Sequence, residues 1–169
     1  MKQLPKGLTP LAAYNQFIVW KLVQGAKKPR KVPINIDTMA AHNAHDSAVW
    51  MNVTAAITAA DLLGDEYSVG FVFTKADPFW FLDIDHCLEA TVMNSIAKEM
   101  TENFSGCAIE VSQSDQGLHI FGTGNCPPHG TRDKLNGMEF YTEQRFVALT
   151  GNMLNEASCA TDCGILLPW

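Results

Sequence analysis

No run of about eighteen apolar residues occurs in the chain, so no membrane-spanning helix is expected. The stretch from Met1 to Leu11 lacks the apolar core of a signal peptide; it is polar, basic and proline-bearing. Cysteine is scarce: Cys87, Cys107, Cys126, Cys159 and Cys163 are odd in number and irregular in spacing, which argues against a disulfide framework. Cys159 and Cys163 make one C-x-x-x-C pair, but no second pair completes a four-ligand zinc site, so reduced, partly buried thiols are expected. Internal repeats and low-complexity tracts are missing too. These absences lead us to expect a soluble protein of the cytoplasm.

Basic residues are also sparse over most of the chain. Residues 37–169 hold five of the twelve Lys and Arg and all eighteen acids, whereas residues 1–36 hold seven basic side chains (Lys2, Lys6, Lys21, Lys27, Lys28, Arg30, Lys31) and no acid. The net charge is therefore −6, with a basic segment on an acidic body. Such a segment can contact phosphates locally, or simply be a solvated loop that keeps the protein soluble.

With 47% hydrophobic residues, the 169-residue chain can bury a core and reads as a single domain over 1–169. Residues 16–23 (QFIVWKLV) are β-branched and aromatic, which predicts a strand, and Lys31 to Asn35 continues as a short extended piece held open by Pro33. Residues 47–63 predict a helix capped by Asp46 or Ser47 and stopped by Gly64, with Trp50, Val53, Ile57 and Ala60 at helical spacing. Residues 68–74 and 79–85 predict adjacent strands joined by a turn, and 90–104 a second helix. Strands come next near 108–114 and 118–123, then a Pro/Gly-rich loop at 125–130 and a hairpin from Met138 to Thr150. Helices interspersed with strand pairs imply an α+β fold with a mixed or antiparallel sheet and flanking helices.

Three groups of residues could carry chemistry. Asp83 and Asp85 end an apolar strand two residues apart, so both face one side, and their repulsion there is relieved by a divalent cation with oxygen ligands. The bland alternative is a pair of acids capping an exposed strand end. Ser112, Ser114, Gly117 and His119 place two hydroxyls, a tight turn and an imidazole in succession, groups that can cradle a polyphosphate or merely form an ordinary hairpin. Glu139 and Tyr141 share a face of the segment that leads to Arg145; this acid matters only if its face meets Asp83 and Asp85.

Taken together and in order, these groups resemble the bifunctional primase–polymerase domain of the archaeo-eukaryotic primase superfamily, found in phage and plasmid replication proteins. The three motifs of that family are an apolar strand ending in D-x-D, a serine-rich turn ending in Gly-x-His, and an apolar strand bearing a further acid. Here they stand as Phe81-Leu82-Asp83-Ile84-Asp85-His86, Ser112 to His119, and Met138-Glu139-Phe140-Tyr141. The likeness spans roughly residues 14–152. Asp115 departs from the usual glycine of the turn, and Gln144 from the glycine that commonly precedes the arginine.

The resemblance implies a primase-like catalytic core and template-directed nucleotidyl transfer, as DNA polymerase, primase or both. Asp83, Asp85 and Glu139 would bind two divalent ions, Mg²⁺ or Mn²⁺. Ser112, Ser114, His119, Arg145 and Lys31 would bind the incoming nucleoside triphosphate, and the basic segment would track a single-stranded DNA template and primer. His86 would be supporting or structural. A helicase or helical accessory domain is an expected partner. Two other classes fit parts of the pattern: a metal-dependent nuclease, and a catalytically silent module that binds nucleotide or DNA.

Overall fold

The computed structural model describes residues 1, 3–26, 29–126 and 128–164. Lys2, Lys27 and Lys28 of the basic segment lie outside the described residues. A 3-10 segment, Lys6–Ala13, leads into β1 (Phe17–Val23) and β2 (Arg30–Ile34). A single 3-10 turn, Ser47–Val49, precedes α1 (Val53–Leu63), β3 (Tyr67–Phe73) and β4 (Phe79–Ile84). A short hairpin, β5 (Leu88–Glu89) and β6 (Val92–Met93), leads to α2 (Ser95–Asn103). Then come β7 (Ala108–Val111), β8 (Leu118–Thr123), β9 (Arg132–Asp133), β10 (Met138–Tyr141) and β11 (Arg145–Ala148).

The fold is α+β. Two antiparallel sheets carry it, one in the order β11-β3-β1-β2 and the other β7-β8-β4-β10-β9. Phe17, Val19, Phe71 and Phe73 of the first sheet pack with Phe79, Phe81 and Phe121 of the second, and Ala56 and Ala60 of α1 join them. Ring contacts tie the sheets directly: Phe73 stacks on Phe81 with centroids 5.6 Å apart. The opposite face of the second sheet, with Leu82, Ile84, Leu118, Ile120 and Phe140, is covered by Ala97 and Met100 of α2 and by Phe104. The second sheet is thus buried on both faces, which is why β4 and β8 read as nearly continuous apolar runs.

Several sequence expectations need correction. The helix expected over 47–63 begins only at Val53, where the Asn52 side chain accepts from the Ala55 N–H at 2.9 Å. Met51 exchanges two backbone bonds with Phe17, and this strand-like pairing overrides the helical periodicity. The helix expected over 90–104 starts at Ser95, because 88–93 folds as the short hairpin and Asn94 caps α2. Neighbours in sequence are also not always neighbours in a sheet. β3 and β4 belong to different sheets, and so do β10 and β11, so the hairpin expected over 138–150 does not form.

Local polar groups make these crossovers. Buried Asp77 accepts from Thr74 N and Oγ1, Phe79 N and Gln16 Nε2, which fixes the passage from β3 to β4. At Gln144 (φ 54°) the chain turns from β10 into the first sheet, and its N–H donates to Phe73 O. Cys107 and Cys163 are joined as a disulfide, contrary to the expectation of free thiols throughout. Their separation of 56 residues hides the pairing from any spacing rule. Cys159 is buried and free, and burial pushes its thiol up to about 12. Among the described residues no helix is long and apolar enough to cross a membrane.

Candidate functional site

Strand register brings distant residues into one row. Across the second sheet Glu110 pairs with His119, His119 with Asp83, Asp83 with Glu139, and Glu139 with Arg132. These five side chains therefore share one face and cross all five strands in order. One pleat further along lie Phe81, Phe121 and Tyr141 on the same face, so the polar row borders the aromatic block. Asp83, His119 and Glu139, from three separate segments of sequence, become immediate neighbours in this way.

His119 is buried and its Nδ1 lies 2.9 Å from Glu110 Oε1, while its Nε2 lies 4.0 Å from Asp83 Oδ1. Glu139 accepts from Arg132 Nε at 2.9 Å, Arg145 Nη2 at 3.1 Å and the Tyr141 hydroxyl at 2.7 Å. The Arg145 guanidinium also lies over the Tyr141 ring, 4.7 Å from its centroid. Burial raises the Asp83 pKa, and the charge of Asp85 adds to that, against the opposing pull of His119, Arg145 and Lys31. Lys31 keeps an exposed surface, yet the protein mass around its ammonium lowers its pKa, with Asp83 as the main opposing charge.

Of these groups Lys31, Asp83, His119 and Arg145 line a cleft of about 500 Å³ between the two sheets. Arg30 and Lys31 enter it from β2, His45 from a loop, Asp83 from β4, His119 from β8 and Arg145 from β11. A larger groove of about 660 Å³ shares only Gln144 with it and contains none of the expected site residues. Ser112, Ser114, Asp85 and Glu139 are not on the wall of the 500 Å³ cleft.

The serine turn stands beside the D-x-D strand end rather than over the cleft. Ser112 and Ser114 hydroxyls lie 3.0 Å apart, and Ser112 N–H donates to Gly117 O at 2.8 Å. A Cβ on Gly117 would come within 2.8 Å of Ile84 O and 3.0 Å of Ser112 Oγ, so only glycine lets the turn close onto β4. Asp115 takes the left-handed backbone (φ 58°), as its residue type permits. Its side chain lines a separate cavity of about 280 Å³ with Leu88, Met93, Val111 and Leu154. His86 is also left-handed (φ 51°), directly after Asp85.

As a metal site the donor set fits in part. Asp83 and Asp85 offer carboxylates whose mutual repulsion a divalent cation would relieve, and the Asp85 N–H bonded to Gly137 O carries the strand's pleat through both. Glu139, in contrast, is engaged by two arginines and a phenol. Among the described residues no three His, Cys, Asp or Glu side chains converge on one point.

Arg30 belongs to the basic segment expected to contact phosphates, whereas sequence reasoning missed Glu110, Arg132 and His45. Only Glu110 left a signal, an acid inside the apolar run Ala108-Ile109-Glu110-Val111. The other two sit in short or irregular segments whose patterns announce nothing.

No family model matches the chain. Over 151 residues, 86% of this chain, it is 28% identical to a protein named DNA primase-polymerase from Nitratiruptor phage NrS-1. The match covers 20% of that relative, so the chain spans about a fifth of its length.

Proposed function

We propose that this chain performs template-directed nucleotidyl transfer in DNA replication, extending a primer on single-stranded DNA with nucleoside triphosphates. The observation that carries the reading is the convergence of Lys31, His119 and Arg145 from three strands around Asp83. Three cationic or protonatable groups in one cleft suit a polyphosphate. A carboxylate among them opposes that anion unless a divalent cation lies between, which is the arrangement phosphoryl transfer needs. The likeness to a phage protein named DNA primase-polymerase points the same way.

Asp83 and Asp85 would hold Mg²⁺ or Mn²⁺; when bound, such an ion neutralises phosphate charge and lowers the pKa of an attacking hydroxyl. Lys31, His119 and Arg145 orient the triphosphate, and desolvation within the cleft strengthens each contact. Phosphate binding also relieves Lys31, because an anion at its ammonium restores the charged form that burial disfavours. Glu139 as arranged here holds Arg132 and Arg145; acting as a ligand for a second ion would require it to exchange these partners. Ser112 and Ser114 share one hydrogen bond, so one of the two hydroxyls keeps a proton for a phosphate, though both stand off the wall of the cleft. Arg30, beside Lys31, would track the nucleic-acid backbone.

The engagement of Glu139 favours a second reading, a module that binds nucleotide or DNA without catalysis. One assay separates the two. A labelled primer on a single-stranded template is incubated with ribo- or deoxynucleotides and with Mg²⁺ or Mn²⁺. Extension that requires nucleotide, template and metal, and is lost in Asp83→Ala and Asp85→Ala, supports the transferase. Binding without extension supports the silent module, and degradation of the labelled DNA without nucleotide supports a nuclease.

A further inference from the structure

We infer that Glu110 is a positioning residue that aims His119 Nε2 into the cleft and ties the end of β11 to the same point, so that one buried carboxylate registers groups from both sheets. The inference rests on reading the cleft as a triphosphate site. Glu110 is fully buried in β7, where an acid is costly unless every oxygen is partnered. Its Oε2 accepts from Thr150 N at 3.1 Å and Gly151 N at 3.0 Å, and its Oε1 accepts from Thr150 N at 3.3 Å. Backbone N–H groups can only donate, so both oxygens are already committed as acceptors. The remaining neighbour, His119 Nδ1 at 2.9 Å from Oε1, then carries the proton of that contact.

This fixes the ring. With Nδ1–H directed at Glu110, Nε2 is the edge presented to Asp83 and the cleft. Thr150 and Gly151 lie just beyond the strand that carries Arg145, so the same carboxylate sets the seat of that strand's end. An amide could not do both jobs. Gln has one oxygen and one NH₂: with the oxygen on the Thr150 and Gly151 N–H groups, its NH₂ would face Nδ1 and drive the ring proton to Nε2, and reversed, its NH₂ would oppose the Gly151 N–H. Anchoring the turn alone would not need Glu110, because Thr150 Oγ1 donates to Val111 O at 2.7 Å and Val111 N–H to Asn152 O at 2.8 Å.

Two measurements test this on the full chain. The first is the two-bond ¹H–¹⁵N spectrum of the ¹⁵N-histidine-labelled wild type, at a pH where the ring is neutral, with His119 assigned by its disappearance in His119→Ala. The expected tautomer has the proton on Nδ1; a proton on Nε2 with bare Nδ1 overturns the inference, and Glu110→Gln need not fold for this result. The second is a titration with deoxynucleoside triphosphate and Mg²⁺. Glu110→Gln should weaken binding about tenfold or more and move the proton toward Nε2, while on the His119→Ala background it should change affinity less than about twofold. An equal loss on both backgrounds would make Glu110 a general scaffold and overturn the inference. Wild type that shows the expected tautomer but binds no triphosphate refutes the reading of the cleft and supports the ring orientation.

Discussion

Gly117→Ala tests how the serine turn and the D-x-D strand end depend on each other. The added methyl would stand 2.8 Å from Ile84 O and 3.0 Å from the buried Ser112 Oγ. Nonbonded heavy atoms attract best at about 3.5–4.0 Å, so both contacts are repulsive. Ile84 O is backbone and Ser112 has little room, so relief requires the turn or the end of β4 to shift. Overpacking of this kind costs about 1–3 kcal/mol. In a protein of this size each kcal/mol lowers Tm by about 2–4 °C, so a fall of about 2–12 °C is expected. Function should suffer more than stability, because Asp83 and Asp85 flank Ile84. A displacement of about 1 Å in reacting groups can cost about a hundredfold in rate. Thermal melting and single-turnover primer extension are the two readouts, with Gly130→Ala as a control because a methyl there meets nothing within 4 Å. An alanine variant that melts and extends like wild type would refute the close packing of the turn on β4.

Asp83→Asn should raise Tm at neutral pH in metal-free buffer while abolishing extension. Burial lifts the folded pKa of Asp83 above its ordinary value, so the ionised carboxylate opposes folding, and this opposition fades as pH falls through the raised pKa. The Tm advantage of the variant should therefore shrink in acid; an advantage that grows there would reverse the assignment. Glu139→Gln should lower extension at least tenfold yet cost no more than about 1 kcal/mol of stability, since its arginine pairs are partly exposed. Unchanged extension would remove Glu139 from the site. Asp115→Asn should leave triphosphate affinity within about twofold, because Asp115 lines a different cavity from Lys31 and His119. Tenfold tighter binding would instead place its charge against the phosphates.

The legible and the hidden parts of this molecule divide along a physical line. β1, β3, β4 and β8 were readable because side chains buried on both faces of a sheet leave apolar runs that survive any partner. The starts of α1 and α2 were not, since a bridge between Met51 and Phe17 and a hairpin closed at Ala90 (φ 54°) decide them from outside the helical pattern. The assignment of β3 and β4, or β10 and β11, to different sheets depends on Asp77 and Gln144, single residues with no periodicity. The site divides likewise. Asp83, Asp85, His119 and Glu139 were found as short motifs, each too weak alone to mean much, whereas Glu110 and Arg132 belong to no motif. Register explains both outcomes. A motif records which residues occur on one strand, but the row from Glu110 to Arg132 exists only across strands, and a shift of any strand by one residue would turn its member to the opposite face. The pairing of β8 with both β7 and β4 therefore carries information that no single segment holds: it sets Glu110 and Asp83 on either side of His119, one at each ring nitrogen. For this reason the partners of a motif histidine are better sought on the strands that flank it than among its neighbours in sequence.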